Sequence, residues 1–121
     1  MAEIDNIYKK VLKFFEKKES LKGKRILVTA GALSEHIDPV RIITNKSSGK
    51  MGIAIANEAA FRGADVTLIS GEIIIQPDSL VNIIKAESGE DMLEAIKREK
   101  DYDVIIHSAA VPDFKAESFD K

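Results

Sequence analysis

A short apolar run that ends at a glycine places the strongest constraint on the fold. Residues 25–30 read Arg-Ile-Leu-Val-Thr-Ala, and Gly31 follows them directly. Such a β-branched and aliphatic run is typical of a buried strand in a parallel sheet, because helices cover both faces of that kind of sheet. Parallel neighbours also need crossover connections, which are usually helical. We therefore expect further strands that alternate with helices.

The remainder of the chain shows that alternation. A helix is predicted from Gly49 to Arg62, with Ser48 as its N-cap and Gly63 as a left-handed stop. Its packing face is unusually small and consists of Gly52, Ala56, Ala59 and Ala60. Further strands are predicted at 65–70, 82–85 and 103–107, a short extended piece at 40–44, and a second helix at 89–99 that opens with a capping box of Ser88 and Asp91.

These elements predict an α/β fold with a doubly wound, Rossmann-like parallel sheet in three αβα layers. Crossovers between parallel strands are right-handed, and ligands bind at the carboxyl ends of the strands. The sequence ends soon after the fourth predicted strand, at Lys121. We therefore expect the sheet to be truncated after about four strands, and the chain to be the amino-terminal part of a larger domain.

A separate amphipathic helix is predicted before the α/β domain. Its apolar positions recur at helical spacing and comprise Ile4, Ile7, Tyr8, Val11, Leu12 and Phe15. The pattern indicates a helix docked on other protein rather than on a membrane surface, because acidic residues share the helix and Trp is absent. We divide the chain into a helix and linker at 1–22 and the α/β domain at 23–121.

Composition excludes several classes of function. The 18 Lys and Arg residues against 20 Asp and Glu give a net charge of −2, so no basic excess indicates nucleic-acid binding. Without cysteine there is no thiolate zinc site and no cysteine nucleophile, and two histidines are too few for a His-rich metal centre, so no metal-ligating side chains are predicted. No apolar segment resembles a signal peptide or a membrane span, and we expect a cytoplasmic protein.

The first candidate site is the segment Thr44–Gly52 at the start of the small-faced helix. Hydroxyls, glycines and helix-terminal N–H groups beside an ammonium group suit a phosphoryl anion. The spacing departs from a P-loop, since Met51 occupies the position of the hydroxyl residue that holds magnesium. The sequence after Gly31 also lacks the glycines of a dinucleotide fingerprint. A Ser-capped helix without a ligand remains a second explanation for this segment.

Two further segments could carry chemistry. The segment from His107 to Phe114 leaves a buried strand through small residues, which would admit a planar base, and then presents Asp113. The alternative is a plain strand-end turn with a solvated Asp113, in which His107 is a hydrogen-bonded core residue rather than a general base. In the second segment Asp38 could cap a turn while Arg41 clamps a phosphate or carboxylate, and a local ion pair between these two residues explains them equally well.

Together these segments resemble a known family. The blocks run in unbroken order and are Lys24–Gly31, Ile37–Arg41, Thr44–Gly52, Arg62–Gly71 and Ala109–Asp113. They are similar to the phosphopantothenoylcysteine synthetase domain of the bifunctional coenzyme A biosynthesis flavoprotein, and they cover the chain from about Lys22 to Asp113. The Asn-x-Ser-Ser-Gly-Lys sequence at 45–50 is the most particular of them.

The resemblance implies a ligase of coenzyme A biosynthesis that joins 4'-phosphopantothenate to L-cysteine. Prokaryotic members use CTP and human-type members use ATP, with Mg²⁺, and an acyl-nucleotide is the intermediate; CTP is the expected nucleotide here. No flavin is expected on this chain, although a flavin-dependent decarboxylase is expected as a fused or associated partner. The alternative is a nucleotide- or phosphate-binding module without catalysis. A Rossmann oxidoreductase is disfavoured, because its glycine fingerprint and ribose-binding acid are absent.

The resemblance also implies roles for individual residues of this chain. Asn45 matches an asparagine that handles the acyl-nucleotide, and is the expected catalytic residue. The expected phosphate- and substrate-binding residues are Gly31, Ser47, Ser48, Gly49, Lys50 and Gly52. The expected nucleotide-binding residues are His107, Ser108, Ala109, Ala110 and Asp113. Arg41 matches an arginine that reaches a neighbouring protomer's site, so the resemblance implies a homodimer.

The chain departs from the family pattern at three places. The family's Pro-Thr-x-Glu after the first glycine is replaced by Ala32-Leu-Ser-Glu35, and its Ala-Asp-Tyr by Pro112-Asp-Phe114. A nucleotide-gripping lysine is expected about ten residues beyond Asp113, whereas Lys121 is eight residues beyond it. The remaining nucleotide and dimer contacts are expected downstream, so we expect activity from the complete protein.

Overall fold

The computed structural model describes Ile7 and residues 19–112. These residues form a four-stranded parallel sheet, a helix on each of its faces, and a two-stranded antiparallel hairpin. In chain order the elements are β1 (Arg25–Ala30), β2 (Ser34–His36), β3 (Ile42–Thr44), α1 (Lys50–Phe61), β4 (Asp65–Ser70), β5 (Asn82–Lys85), α2 (Gly89–Arg98) and β6 (Val104–His107).

The strand order across the parallel sheet is β5-β4-β1-β6. The central strand β1 pairs with β4 on one side, from Arg25 opposite Asp65, and with β6 on the other, from Ile26 opposite Val104. The chain moves outward from β1 through β4 to β5 and then crosses back over the sheet to β6. The order therefore reverses between β1 and β6, which is the switch point where doubly wound sheets bind ligands.

Alternating side chains of β1 build a core on each face of the sheet. Val28 is fully buried in the cluster that includes Ile53 and Ala56 of α1. Leu27 points to the other face and is fully buried in the cluster that includes Met92 and Ala95 of α2. Because successive strand residues face opposite sides, one apolar run serves both cores. The predicted three-layer αβα arrangement is confirmed.

The start of α1 differs from the prediction. The N-cap is Gly49, not Ser48, and the helix begins at Lys50. Gly49 has a φ of 77°, and a Cβ there would lie 2.6 Å from Ile73 Cγ2, so only glycine fits this left-handed turn. The Ser48 hydroxyl accepts a weak hydrogen bond from Lys50 N at 3.3 Å instead of capping the first turn.

The other element boundaries lie close to their predicted positions. The helix α1 ends at Phe61 and Gly63 has the expected positive φ of 98°, while the extended piece predicted at 40–44 forms strand β3 from Ile42 to Thr44. Strand β6 begins at Val104; just before it, Asp103 N donates to Arg25 O at 2.9 Å and the Asp103 side chain accepts from Arg25 N at 2.8 Å.

The predicted amino-terminal helix lies almost entirely outside the described residues. Its one described member, Ile7, is helical and 61% exposed in this chain, and the docking of the predicted helix stays a prediction. Helical spacing shows which residues share a face, whereas it does not show what that face packs against. Leu21, which follows, donates its N–H to Arg62 O at 2.8 Å and packs on the sheet core.

Among the residues that the structure describes, no helix has the length and apolar character required to cross a bilayer.

The capping box of α2 generates a pH-dependent prediction. Asp91 accepts the N–H of Ser88 at 3.1 Å and that of Glu87 at 3.2 Å, and these two bonds lower the pKa of its carboxyl group. A carboxyl whose pKa is lowered in the folded state adds stability above its unfolded pKa, and that stability is lost as the pH falls through the folded pKa. Asp91→Asn should lower the free energy of unfolding by about 0.5–1 kcal/mol at neutral pH. This is the lower half of the range for capping interactions, because this helix end is exposed.

Urea denaturation over a series of pH values measures this effect. The gap in unfolding free energy between wild type and Asp91→Asn should close in acid, below the ordinary carboxyl pKa of about 4. Glu94→Gln, which changes an exposed carboxylate on the same helix, is the matched control and should shift stability by less than about 0.5 kcal/mol. A gap of constant size at every pH would contradict the account.

Candidate functional site

The start of α1 approaches the switch point so closely that no side chain fits between them. A Cβ on Gly52 would lie 2.5 Å from Ala30 Cβ at the end of β1 and 2.5 Å from Ser108 Oγ just after β6. Gly31 N lies 3.4 Å from where a Cβ of Gly49 would be. The glycines at 31, 49 and 52 therefore bring the first turn of α1 against the carboxyl ends of β1 and β6.

A cleft of about 270 Å³ opens at this junction, and we call it the α1 cleft. Its walls are Lys46, Ser47, Ser48, Gly49, Lys50, Met51, Gly52 and Ser108. The structure thus brings the predicted phosphate-binding residues of the 44–52 segment together with one predicted nucleotide-binding residue. The carboxyl end of β6 and the start of α1 face a common space, as the sequence predicts.

The chemistry of the α1 cleft suits an anion. The first intrahelical bond runs from Ile53 N to Gly49 O at 3.0 Å, so the N–H groups of Met51 and Gly52 precede the ladder and have no intrahelical acceptor. The helix dipole places partial positive charge at the same point. The side chains of Lys46 and Lys50 add two exposed ammonium groups around the cleft. Backbone donors, a dipole and ammonium groups together form a phosphoryl-binding arrangement.

A second cleft of about 650 Å³ continues from the first and contains Asn45; we call it the hairpin cleft. Its walls are Ala32, Ser34, Ile42, Thr44, Asn45, Lys46, Ser47, Ser48, Glu72 and Ile74. The Thr44 hydroxyl donates to Leu33 O at 2.8 Å and holds the end of β3 beside the loop after β1. Because residues 46–48 line both clefts, a ligand in the α1 cleft lies next to the wall that carries Asn45.

The segment after β6 uses its own N–H groups internally. Ser108 N donates to Thr29 O at 3.1 Å, and Ala110 N donates to Gly31 O at 2.8 Å. Ala109 N donates to the Thr29 hydroxyl at 3.2 Å. A base bound here would therefore meet carbonyl oxygens and small side chains rather than these amides. Asp113, the carboxylate predicted to contact the base or sugar, lies outside the described residues.

Thr29 is a site residue that the sequence analysis did not single out. Its hydroxyl lies 2.7 Å from His107 Nδ1 and also accepts the Ser108 N–H at 3.1 Å. His107 is hydrogen-bonded, as the alternative explanation for this segment held, but it is exposed rather than buried in the core. The signal in the sequence was a hydroxyl residue inside an otherwise apolar buried strand, which needs a partner when it is buried.

Arg41 is engaged locally. Its Nε donates to Asp38 Oδ2 at 2.7 Å, and the carboxyl group also accepts the N–H groups of Val40 and Arg41. The Arg41 side-chain bond is the largest cause that lowers the pKa of Asp38, followed by the two backbone bonds. The local ion pair is thus the arrangement in this single chain. Binding to a neighbouring protomer's site would require Arg41 to leave or share this partner.

A third cleft of about 460 Å³ lies at the carboxyl ends of β4 and β5, and the sequence analysis missed it. Its walls are Ala32, Ser34, Ser70, Gly71, Glu72, Lys85, Ala86, Glu87 and Asp91. Lys85 Nζ lies 3.4 Å from the Ser70 hydroxyl. Ala32, Ser34 and Glu72 also line the hairpin cleft, so the three clefts form one groove along the carboxyl edge of the sheet.

Within Ile7 and residues 19–112 there is no group of three or more His, Cys, Asp or Glu side chains that could hold a metal ion.

The fold and the groove define an α/β protein whose first sheet-packed helix starts beside a cleft at the sheet switch point. Residues 21–121 match the family model of the DNA/pantothenate metabolism flavoprotein C-terminal domain, and the chain belongs to this family.

Individual relatives agree with the family match. The chain is 52% identical over 121 residues to the coenzyme A biosynthesis bifunctional protein CoaBC of Thermococcus kodakarensis, covering 98% of this chain and 30% of that protein. It is 44% identical over 120 residues to a cysteine/cysteine sulfinic acid decarboxylase of an unknown prokaryotic organism, covering 94% and 33%. The chain thus spans about a third of the length of these relatives.

A solved structure shows the same fold. The crystal structure of the C-terminal domain of a coenzyme A biosynthesis bifunctional protein CoaBC superposes with a TM-score of 0.72 at 48% sequence identity. The match covers 81% of this chain and 53% of that domain. The predicted α/β Rossmann-like class is therefore confirmed by comparison as well as by the strand order.

Gly52→Ala tests the close approach at the switch point. Replacing glycine by alanine inside a helix ordinarily stabilises it by about 1 kcal/mol. Here the new methyl would overlap Ala30 and Ser108, and overpacking of this kind costs about 1–3 kcal/mol. Chemical denaturation should show a loss of stability. Met51→Ala, at a position that is 72% exposed, is the control and should stay within about 0.5 kcal/mol of wild type. A stabilised Gly52→Ala variant would contradict the described contact.

Proposed function

We propose that the complete protein joins 4'-phosphopantothenate to L-cysteine at the expense of a nucleoside triphosphate, with CTP as the nucleotide. The observation that carries the proposal is the α1 cleft, where a helix start with two neighbouring ammonium groups faces the carboxyl end of β6. Family membership and the CoaBC relatives support a role in coenzyme A biosynthesis. The groove offers a phosphoryl site and, beside it, a wall that carries an amide side chain.

The proposed reaction has two steps. A carboxylate oxygen of phosphopantothenate attacks the α-phosphorus of CTP, and the bond to the β-phosphate breaks and releases pyrophosphate. The cysteine amine then attacks the acyl carbon, loses a proton, and expels CMP with the bonding electron pair. The carboxylate must first be converted into an acyl-nucleotide because its own oxygen is a poor leaving group. The cleft's N–H groups and ammonium groups stabilise the charge that moves between phosphoryl oxygens.

Asn45 is the proposed catalytic residue. It is exposed at the end of β3 and lines the hairpin cleft directly before Lys46 and Ser47, which border the phosphoryl site. A side-chain amide there can donate to the acyl oxygen of the intermediate when the amine attacks. The neutral amide supplies the donor without adding a second negative charge beside the phosphate.

The remaining parts of the proposal concern ions, partners and location. Mg²⁺ is treated as an ion carried by the triphosphate, since Mg²⁺ is usually bound through substrate phosphates with one or two carboxylates. We also propose a homodimer, a fused or associated flavin-dependent decarboxylase, and a cytoplasmic location. A nucleotide- or phosphate-binding module without catalysis is the second candidate, supported by the same cleft.

A pyrophosphate-release assay separates the two candidates. Full-length protein with phosphopantothenate, cysteine, CTP and Mg²⁺ should release pyrophosphate, and ATP in place of CTP should be much less effective. Calorimetry with CTP in the absence of the other substrates measures binding alone. Binding without turnover would replace the ligase by the binding module, and neither binding nor turnover would reject both.

Asn45→Asp tests the role of the amide. The carboxylate retains the size of the side chain but cannot donate, so amide formation should slow about 100-fold or more while acyl-nucleotide formation changes less. Single-turnover trapping should then show the intermediate accumulating. Asn57→Asp on α1 is the matched control, because the Asn57 carbonyl oxygen only accepts Asp78 N and an aspartate can do the same. An intermediate that forms and disappears at wild-type rates in Asn45→Asp would contradict the assigned role.

A further inference from the structure

Thr29 links the central strand to three consecutive residues at the end of β6. It is fully buried and lies opposite His107 in the β1–β6 register. Its Oγ1 is 2.7 Å from His107 Nδ1, 3.1 Å from Ser108 N and 3.2 Å from Ala109 N. A single buried hydroxyl thus contacts the segment that borders the α1 cleft.

A count of protons decides the direction of these bonds. A threonine hydroxyl has one proton to donate and two lone pairs to accept. The N–H groups of Ser108 and Ala109 can only donate. Ala109 N takes one lone pair at 3.2 Å, and Ser108 N, which also donates to Thr29 O, takes the other at 3.1 Å. Among the described contacts of Oγ1, His107 Nδ1 is then the acceptor for the hydroxyl proton. With a proton on Nδ1, two hydrogens would meet at this contact and a fully buried donor would have no partner, which is unfavourable.

We propose that Thr29 is a positioning residue that fixes neutral His107 in the tautomer protonated on Nε2 and holds Ser108 in the wall of the α1 cleft. The second part rests on a further contact, because the Ser108 hydroxyl donates to Thr29 O at 2.7 Å. Ser108 Oγ is also the atom that limits the approach of Gly52. Contacts from strand β1 therefore determine both the orientation of the His107 imidazole and the position of the cleft wall that faces the start of α1.

The tautomer determines what His107 can do. Its imidazole is exposed, and with Nδ1 bound to Thr29 it presents an N–H donor at Nε2. A donor suits phosphoryl or carboxylate oxygens, whereas a general base would need an unprotonated Nε2. The consequence for substrate binding rests on the proposed function, whereas the tautomer does not.

The tautomer is measured directly by two-bond proton–nitrogen correlation on nitrogen-15-labelled full-length protein, at a pH where the imidazoles are neutral. His107→Gln, which removes one histidine pattern from the spectrum, identifies the His107 signals. Wild type should show a pyridine-type Nδ1 and a pyrrole-type Nε2 for His107. Thr29→Ser should retain this pattern, and Thr29→Val should lose it. A pyrrole-type Nδ1 in wild type, or an unchanged pattern in Thr29→Val, would overturn the proposal, and the wild-type spectrum decides even if the valine variant fails to fold.

Steady-state kinetics test the effect on the cleft. Thr29→Val should raise the KM for CTP roughly tenfold while kcat changes less than about twofold, and Thr29→Ser should stay near wild type. Thr67→Val is the matched control, because Thr67 is a buried threonine on β4, which does not pair with β6. An unchanged KM in Thr29→Val would overturn the positioning of the cleft wall. Absence of ligase turnover in wild type would reject the proposed function and leave the tautomer measurement standing.

Discussion

The close approach of helix α1 to the carboxyl ends of β1 and β6 is the constraint on which the rest of the structure depends. At Gly52 the space is smaller than one methyl group, since a Cβ would lie 2.5 Å from both Ala30 Cβ and Ser108 Oγ. At Gly49 the chain turns through a positive φ that excludes other residues beside Ile73. The first turn of α1 therefore lies at the switch point, where its N–H groups and the positive end of the helix dipole can attract an anion.

The same packing explains why the helix can lie so near the sheet. Four of the five buried residues of α1 are small, and Ile53 is the one large buried side chain, so most of this helix face lies close against β1 and β4. The large apolar side chains of this core come mainly from the strands, through residues such as Val28 and Leu68. The packing of the core therefore determines where the first turn of α1 lies.

Most of the parallel sheet was predictable because three signals agree along this chain: the hydrophobic pattern, the strand and helix propensities, and the glycine and capping residues at the ends of the elements. Strands at 25–30, 65–70 and 82–85 and the Ser88 capping box were all set by local sequence. The prediction of Ser48 as N-cap failed, because the choice between Ser48 and Gly49 depends on Ile73, a residue that comes into contact only in the folded protein. The grouping of residues 46–52 with Ser108 was foreseen because parallel strands end at one edge of a sheet.

The roles of Thr29 and Lys85 were not predictable, since both depend on register. Thr29 meets His107 only because β6 pairs with β1 in one alignment, and Lys85 meets Ser70 only through the β4–β5 pairing. Sequence patterns indicate that strands exist, whereas long-range register decides which polar groups face each other. Arg41 lies beside Asp38 in the hairpin. These residues are three positions apart in the sequence, and the sequence analysis had given their ion pair as one of two explanations.

The proposed function requires that the turn from Ser47 to Gly52 binds a phosphoryl group at the switch point. Amide chemical-shift mapping of the full-length protein during titration with CTP and Mg²⁺ measures this binding residue by residue. We expect saturable shifts concentrated at Ser47 to Gly52 and at Ser108, with smaller changes around Lys85 at the far end of the groove. Saturable shifts elsewhere, with the start of α1 unchanged, would contradict it.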